Sequence, residues 1–320
     1  MITRTRLSGP SLTRRSVLAG MLAYSTGAWA AGAEQAVPNS TGSAPPRLNV
    51  PADGCDCHHH IYDARFPASP HWHQGFPPGA TVADYRLLRR RLGTTRSVVV
   101  QPSTYGVDNR CLVDALGQLG LSSRGVAVVD TEVQDTELRA LTDAGVRAIR
   151  VNFVSPQTWG TTTPEMLTTL ARRVDPFGWH VQILMTADQI ATHESVIRSL
   201  PTKVVIDHLG RIPQPDGIRH PGFAAVRRLL DEGRTWVKVT EPYEDSKLGP
   251  PPYADSSEVA RAYVQAAPER VLWGTDWPHP TQRGTKPDDA LLLDLLADWA
   301  PAEGTRRRIL IDNPTELFGF

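Results

Sequence analysis

The sequence predicts an α/β protein, a single (β/α)8 TIM barrel preceded by a cleaved export signal, on three observations. Eight short apolar runs recur along the chain, and seven amphipathic stretches alternate with them. No Gly-rich phosphate loop follows the first run, where an open doubly wound sheet would carry its nucleotide fingerprint. Repeated strand–helix–strand crossovers force parallel pairing, and eight of them match the usual size of a closed barrel.

The N-terminus comes first. Thr13-Arg14-Arg15-Ser16-Val17-Leu18 sets a twin-arginine pair before a weakly apolar run over 16–30, the pattern of a twin-arginine export signal. That run is interrupted by Gly20, Ser25, Thr26 and Gly27, and a membrane-spanning helix needs ~20 mostly apolar residues. A permanent membrane anchor is therefore not expected. Small residues at Ala28-Trp29-Ala30 or Ala31-Gly32-Ala33 suit cleavage, so residues 1–33 read as the signal, 34–50 as a Pro/Ser/Gly-bearing linker and 51–320 as the barrel. The expected location is the periplasm or the medium.

The whole chain has 34 Lys+Arg and 34 Asp+Glu. Removing Arg4, Arg6, Arg14 and Arg15 with the signal leaves 30 basic against 34 acidic residues. Such a mildly acidic body has no electrostatic case for nucleic-acid or membrane-surface binding, so a small-molecule partner is expected. Oligomeric state is not legible. Three cysteines, Cys55, Cys57 and Cys111, give neither a disulfide framework nor zinc-ribbon spacing.

The first strand ends in Cys55-Asp56-Cys57, and the other apolar runs are 97–101, 125–129, 146–153, 180–185, 204–206, 236–239 and 271–273. Stretches 82–92, 108–119, 136–144, 164–174, 187–199, 223–232 and 256–267 place apolar residues at helical spacing. Two closing helices are expected over 288–299 and 306–317.

Reactive groups of a parallel barrel belong at the carboxyl ends of its strands. At the first strand His58 and His60 share one face, geometry for two imidazoles converging on a metal or a water, while His59 points the other way. At the sixth, Asp207-His208 follows an apolar run; His208 is the better candidate, and a direct Asp–His dyad is not expected because the two alternate. At the eighth, Leu272, Gly274 and Asp276 share a parity that puts Asp276 on the barrel axis, where a carboxylate must be solvated, paired or reactive. At the fourth, Arg150 and Asn152 face inward, and a guanidinium can grip a carboxylate or polarise a carbonyl. Arg147 has the other parity and lies deeper, so a substrate role and a salt bridge are equally open.

Four segments carry a resemblance: Asp56-Cys57-His58-His59-His60-Ile61-Tyr62-Asp63, Gly145-Val146-Arg147-Ala148-Ile149-Arg150-Val151-Asn152, Ile206-Asp207-His208-Leu209-Gly210-Arg211 and Trp273-Gly274-Thr275-Asp276-Trp277-Pro278-His279. In this order they resemble the amidohydrolase superfamily, in its branch containing 2-pyrone-4,6-dicarboxylate lactonase, galactarolactone isomerase and 4-sulfomuconolactone hydrolase. The resemblance implies that His58, His60, His208 and Asp276 form the central cluster. Arg150 and Arg147 would bind a substrate anion, with Ser103 as a further contact and Gln101 a weaker one beside it.

Two-metal members of the superfamily carry a lysine on the fourth strand and a histidine ending the fifth. Here those places hold Arg150 and Gln182, with His180 one step deeper, so at most one ion, Zn2+, is expected on His58, His60, His208 and Asp276. The seventh strand, Val237-Lys238-Val239-Thr240-Glu241-Pro242-Tyr243-Glu244, lacks the Ser-Gly and following arginine of many relatives.

The expected reaction is hydrolysis of a small anionic lactone, 4-sulfomuconolactone or a related muconolactone, with Asp276 taking a proton from water and returning it to the leaving alkoxide. The alternatives are a metal-dependent decarboxylase of an aromatic acid, an aldarolactone hydrolase or isomerase, and a non-catalytic sugar-acid binding protein.

Overall fold

Eight strands follow one another around the sheet in chain order, every hydrogen-bonded neighbour parallel. The computed structural model describes residues 36–320 except Gln74; the expected export signal, 1–33, lies outside the described residues. The strands are β1 Cys55–His59, β2 Arg96–Val100, β3 Ser123–Ala127, β4 Val146–Asn152, β5 His180–Leu184, β6 Val204–Ile206, β7 Thr235–Val239 and β8 Val271–Trp273. Between them run α1 Val82–Leu92, α2 Arg110–Leu119, α3 Asp135–Asp143, α4 Pro164–Val174, α5 Ala187–Ser199, α6 Pro221–Asp231, the short α7 Pro242–Asp245, and α8 Ala254–Ala266.

Local chemistry sets the helix limits. Thr81 and Asp84 form a reciprocal capping box on α1, and Gly93 ends that helix in the left-handed region, with φ 80°. Thr186 and Gln189 repeat the box on α5. The closing region departs from the two helices expected: α9 spans Asp289–Trp299, but the rest divides into α10 Glu303–Arg307, a π turn over Arg308–Asp312 and α11 Asn313–Phe318. Pro314 has no N–H to return to the preceding turn, and the helix widens just before it.

Alternation along the strands separates two apolar layers. Val99, Ile149, Val151, Val181 and Ile183 face the helices. Cys55, Cys57, Val98, Val100, Val126, Ala148, Val205 and Leu272 fill the barrel axis, which Leu317 and Phe318 close from the amino end of the strands. The polar site sits on this packed floor.

Closure between β8 and β1 lies at the strand ends. Asp276 N donates to His58 O (2.7 Å), His60 N donates to Trp277 O (2.8 Å), and the Asp56 carboxylate accepts from Thr275 N (2.9 Å) and Oγ1 (2.8 Å). Glycine is required at 274, because a Cβ there would meet His58 N at 2.6 Å and His58 Cβ at 2.8 Å.

The stretch expected as a linker is fastened to the barrel from residue 36 onward. Asn39 Nδ2 donates to Pro78 O and Gly79 O, Trp277 Nε1 to Pro38 O, and Leu48 N to Asp294 Oδ1. No helix among the described residues is long and apolar enough to cross a membrane.

Candidate active site

The His-x-His at the end of β1 divides as its parity predicts. His58 and His60 turn inward, their rings edge to face at 5.0 Å, while His59 stacks on Tyr85 of α1 at 3.5 Å between centroids. His60 Nδ1 lies 2.8 Å from the carbonyl of Val100. A carbonyl only accepts, so the proton is on Nδ1 and Nε2 carries a lone pair. That lone pair faces Asp276 Oδ1 at 3.2 Å, and His58 Nε2 lies 3.4 Å from the same oxygen. Neither His58 Nε2 nor Asp276 Oδ1 has a hydrogen-bond partner.

Strand β6 stops at Ile206, and the backbone then enters the left-handed region at His208 (φ 50°), Leu209 (55°), Gly210 (71°) and Arg211 (50°). This turn corrects the expectation that Asp207 and His208 face apart. Both enter the site, bridged by Arg150: its Nε donates to Asp207 Oδ2 at 2.9 Å and its Nη2 lies 3.1 Å from His208 Nε2. A guanidinium only donates, so His208 carries its proton on Nδ1, directed at Thr240 Oγ1 (2.8 Å) and Glu241 Oε2 (3.1 Å).

Asn152 is one turn of alternation above Arg150. Its Nδ2 donates to Ser103 Oγ (3.2 Å) and Ser155 Oγ (3.0 Å), and its Oδ1 accepts from Val154 N. Ser103 and Asn152 are thus paired with each other and tie the loops after β2 and β4. Gln101 Nε2 is committed to Asp108 O at 2.7 Å. Arg147 does not join them: its Nη1 donates to Thr142 O and Val146 O at the amino end of β4, since it faces the helices one turn below the site.

Sequence reading passed over Lys238. It is fully buried, with its ammonium on Gln182 Oε1 (2.5 Å), His58 Nδ1 (2.8 Å) and Asp207 Oδ1 (3.2 Å). Its signal was available, a lone charge on an apolar strand sharing the parity of inward Trp236. His180 lies deeper, beside Gln182 and edge-on to Phe318. Glu241, Tyr243 and His279 were also missed; Glu241 is buried against Asp276 in a left-handed conformation (φ 51°).

Burial decides most of the protonation. It pushes His58 and His208 well below the usual imidazole range and His60 to about 4, Lys238 adding to the effect at His58 and Arg150 at His60. These rings are neutral near pH 7. Burial also raises Asp276 to about 6, and it raises Glu241 well above its ordinary value, helped by the neighbouring Asp276 charge. Burial would raise Asp207 too, but Lys238 and Arg150 outweigh it and hold that carboxyl well below its ordinary value.

His58, His208 and Asp276 each place one donor atom within 4.8 Å of the others. With two of the central atoms unpartnered and the imidazoles neutral, the set fits one divalent ion. Two contacts compete with it. Arg150 occupies the His208 Nε2 lone pair. The Lys238 ammonium on His58 Nδ1 favours the tautomer with its proton on Nε2, whereas donation from Nδ1 to Asp207 Oδ1, 3.6 Å away, would free Nε2 as a ligand.

A barrel of this topology with histidines at the end of β1, an acid after β8 and a histidine after β6 is an amidohydrolase site. The family model described as Amidohydrolase matches residues 55–320, and the chain belongs to that family. It is 38% identical to a 2-pyrone-4,6-dicarboxylate hydrolase of Comamonas testosteroni, over 85% of this chain and 92% of that one. It is 33% identical to a 4-sulfomuconolactone hydrolase of Rhizobium radiobacter, over 87% and 93% of the two chains. A crystal structure of an Agrobacterium tumefaciens protein in its apo form superposes with a TM-score of 0.80 at 30% identity, covering 88% of this chain and 98% of that one. The chain is a hydrolytic enzyme, which sets aside the binding-protein alternative.

Proposed function

We propose that the enzyme opens a small anionic lactone by attack of water on the ring carbonyl, with 4-sulfomuconolactone or a related muconolactone as substrate. The observation that carries this reading is Asp276 Oδ1, a buried carboxylate oxygen with no hydrogen-bond partner, facing His58 Nε2 and His60 Nε2 within 3.4 Å. Asp276 takes the proton of a water held among His58, His60 and His208, and returns it to the leaving alkoxide. Arg150, fixed by Asp207, turns its remaining N–H groups toward the anionic substrate; Asn152 and Ser103 border the same end of the barrel. Arg147, committed to carbonyls at the other end, has no part in the reading.

A single Zn2+ on His58, His208 and Asp276 is part of the proposal; when bound, it supplies Lewis acidity to the carbonyl. So is export by the twin-arginine route, supported by Arg14-Arg15 and the apolar run after them. Replacing both arginines by lysine should hold the protein in the cytoplasm, read by cell fractionation. The relatives' names support a lactone and differ over which: a pyrone dicarboxylate, a sulfomuconolactone and, at 31% identity, a D-galactarolactone isomerase of Agrobacterium fabrum. Purified enzyme should therefore be offered muconolactones, 2-pyrone-4,6-dicarboxylate and aldarolactones at pH 7–8. Ring opening of a muconolactone fits the proposal; turnover of none of them sinks it.

A further inference from the structure

We propose that Tyr243, His279 and Asp289 form an arm that orients Asp276, tying down Oδ2 so that Oδ1 is the oxygen presented to water. The inference rests on the reading of Asp276 as the base and adds three residues to it.

The arm begins at the carboxylate. The Tyr243 hydroxyl donates to Asp276 Oδ2 at 3.3 Å, and the same phenolic oxygen lies 2.9 Å from His279 Nδ1. His279 Nε2 in turn meets Asp289 Oδ2 at 3.2 Å, so with the hydroxyl proton on Asp276 the arm has His279 donating from both ring nitrogens, Nδ1 to the phenolic oxygen and Nε2 to the carboxylate. His279 and Asp289 have no solvent exposure, so water does not substitute for the link between them, while Tyr243 is half-buried. The backbone is held as firmly: Asp276 N donates to His58 O, His279 N to Asp276 O at 2.8 Å, and Lys286 Nζ to His279 O at 2.7 Å. Asp289 opens α9, and its amide reaches Ser40 Oγ at 3.3 Å.

With the main chain fixed on both sides, the freedom left to Asp276 lies in its two side-chain torsions, of which rotation of the carboxylate is the soft, two-fold one. A partner on one oxygen settles it. Glu241 also hydrogen-bonds the same carboxyl, but its own oxygens accept from His208 Nδ1 and Thr281 Oγ1, so its contacts lead back toward the site. Tyr243 is the group whose partners lead away from the substrate, to a histidine and an acid that touch none of the reacting atoms. It is a positioning residue, and His279 and Asp289 position it.

The test compares Tyr243→Phe, His279→Leu and His279→Asn in the full-length enzyme on a lactone that the wild type hydrolyses. A misaligned base slows the chemical step without weakening substrate binding, so Tyr243→Phe should lower kcat on the order of 10-fold to 100-fold with KM within about 2-fold. His279→Leu should match it. His279→Asn, whose amide places a donor where Nδ1 lies, should recover part of the loss. The inference is overturned if Tyr243→Phe keeps kcat within about 2-fold, if the effect falls on KM, or if His279→Asn is no better than leucine. Should His279→Leu fail to fold, Tyr243→Phe alone decides. A crystal structure of Tyr243→Phe separates this from failure of the lactonase reading: a rotated Asp276 carboxylate supports the arm even if no lactone is hydrolysed, and an unmoved one refutes it.

Discussion

Replacing Lys238 by methionine should cost the protein about 3 kcal/mol. The side chain is fully buried, and its ammonium contacts Gln182 Oε1 at 2.5 Å, His58 Nδ1 at 2.8 Å and Asp207 Oδ1 at 3.2 Å. Methionine keeps most of the volume, so the packing loss is small. What is lost is the counter-charge of a buried carboxylate, and removing one partner of a buried ion pair costs ~3–5 kcal/mol. Asp207 keeps its 2.9 Å bond from Arg150 Nε, which places the cost at the low end. For a chain of this size, with an unfolding entropy of ~2.1 cal/mol/K per residue, that corresponds to a fall of roughly 4–5 °C in the thermal midpoint, measured at pH 7 and a fixed scan rate. Adding Asp207→Asn leaves the buried Arg150 guanidinium without its carboxylate partner, so the double variant should be less stable than Lys238→Met alone, with a total loss smaller than the sum of the two single losses because the shared ion pair is lost only once. A single variant within ~1 kcal/mol of wild type, or a double variant with additive losses, would refute the reasoning.

Three more outcomes are expected. Lys238→Met should also raise zinc occupancy on dialysis against equimolar metal, read by elemental analysis, because His58 Nδ1 can then donate to Asp207 and free Nε2; unchanged occupancy counts against the tautomer argument. Gly274→Ala should destabilise by about 1–3 kcal/mol, since the new Cβ meets His58 backbone at 2.6 Å, and a variant that melts with the wild type would show that β8 can shift from β1. Burial raises Asp56 from 3.8 to about 6, so the folded state binds its proton more tightly than the unfolded one. Its contribution is complete below pH 3.8 and is lost as pH rises through 6, a change of about 3 kcal/mol that Asp56→Asn should abolish in melts taken from pH 4 to 7.

Alternation made much of the site readable in advance. It separated His58 and His60 from His59, and it turned Arg150 and Asn152 inward. Elements bounded by strong local signals, such as α1 with its Thr81 cap and Gly93 stop, have the limits the sequence suggests. Parity fails where the strand ends. Four successive positive φ values from His208 to Arg211 rotate Asp207 and His208 into one site, and only one of those four residues is a glycine that would have announced the turn. Glu241 escaped for the same reason, with φ 51° just beyond β7. Lys238 is a different case, since its inward parity was legible and its contacts across the barrel to β1 and β5 were not. Tyr243, His279 and Asp289 meet only through the tertiary fold.

The most direct measurement is hydrolysis in 18O-labelled water by the wild type and by Asp276→Asn. If Asp276 activates water to attack the lactone carbonyl, one labelled oxygen enters the new carboxylate, none enters the alcohol, and the asparagine variant turns over at least ~100-fold more slowly. Label in the alcohol, product without label, or an Asp276→Asn variant near wild-type rate would contradict it.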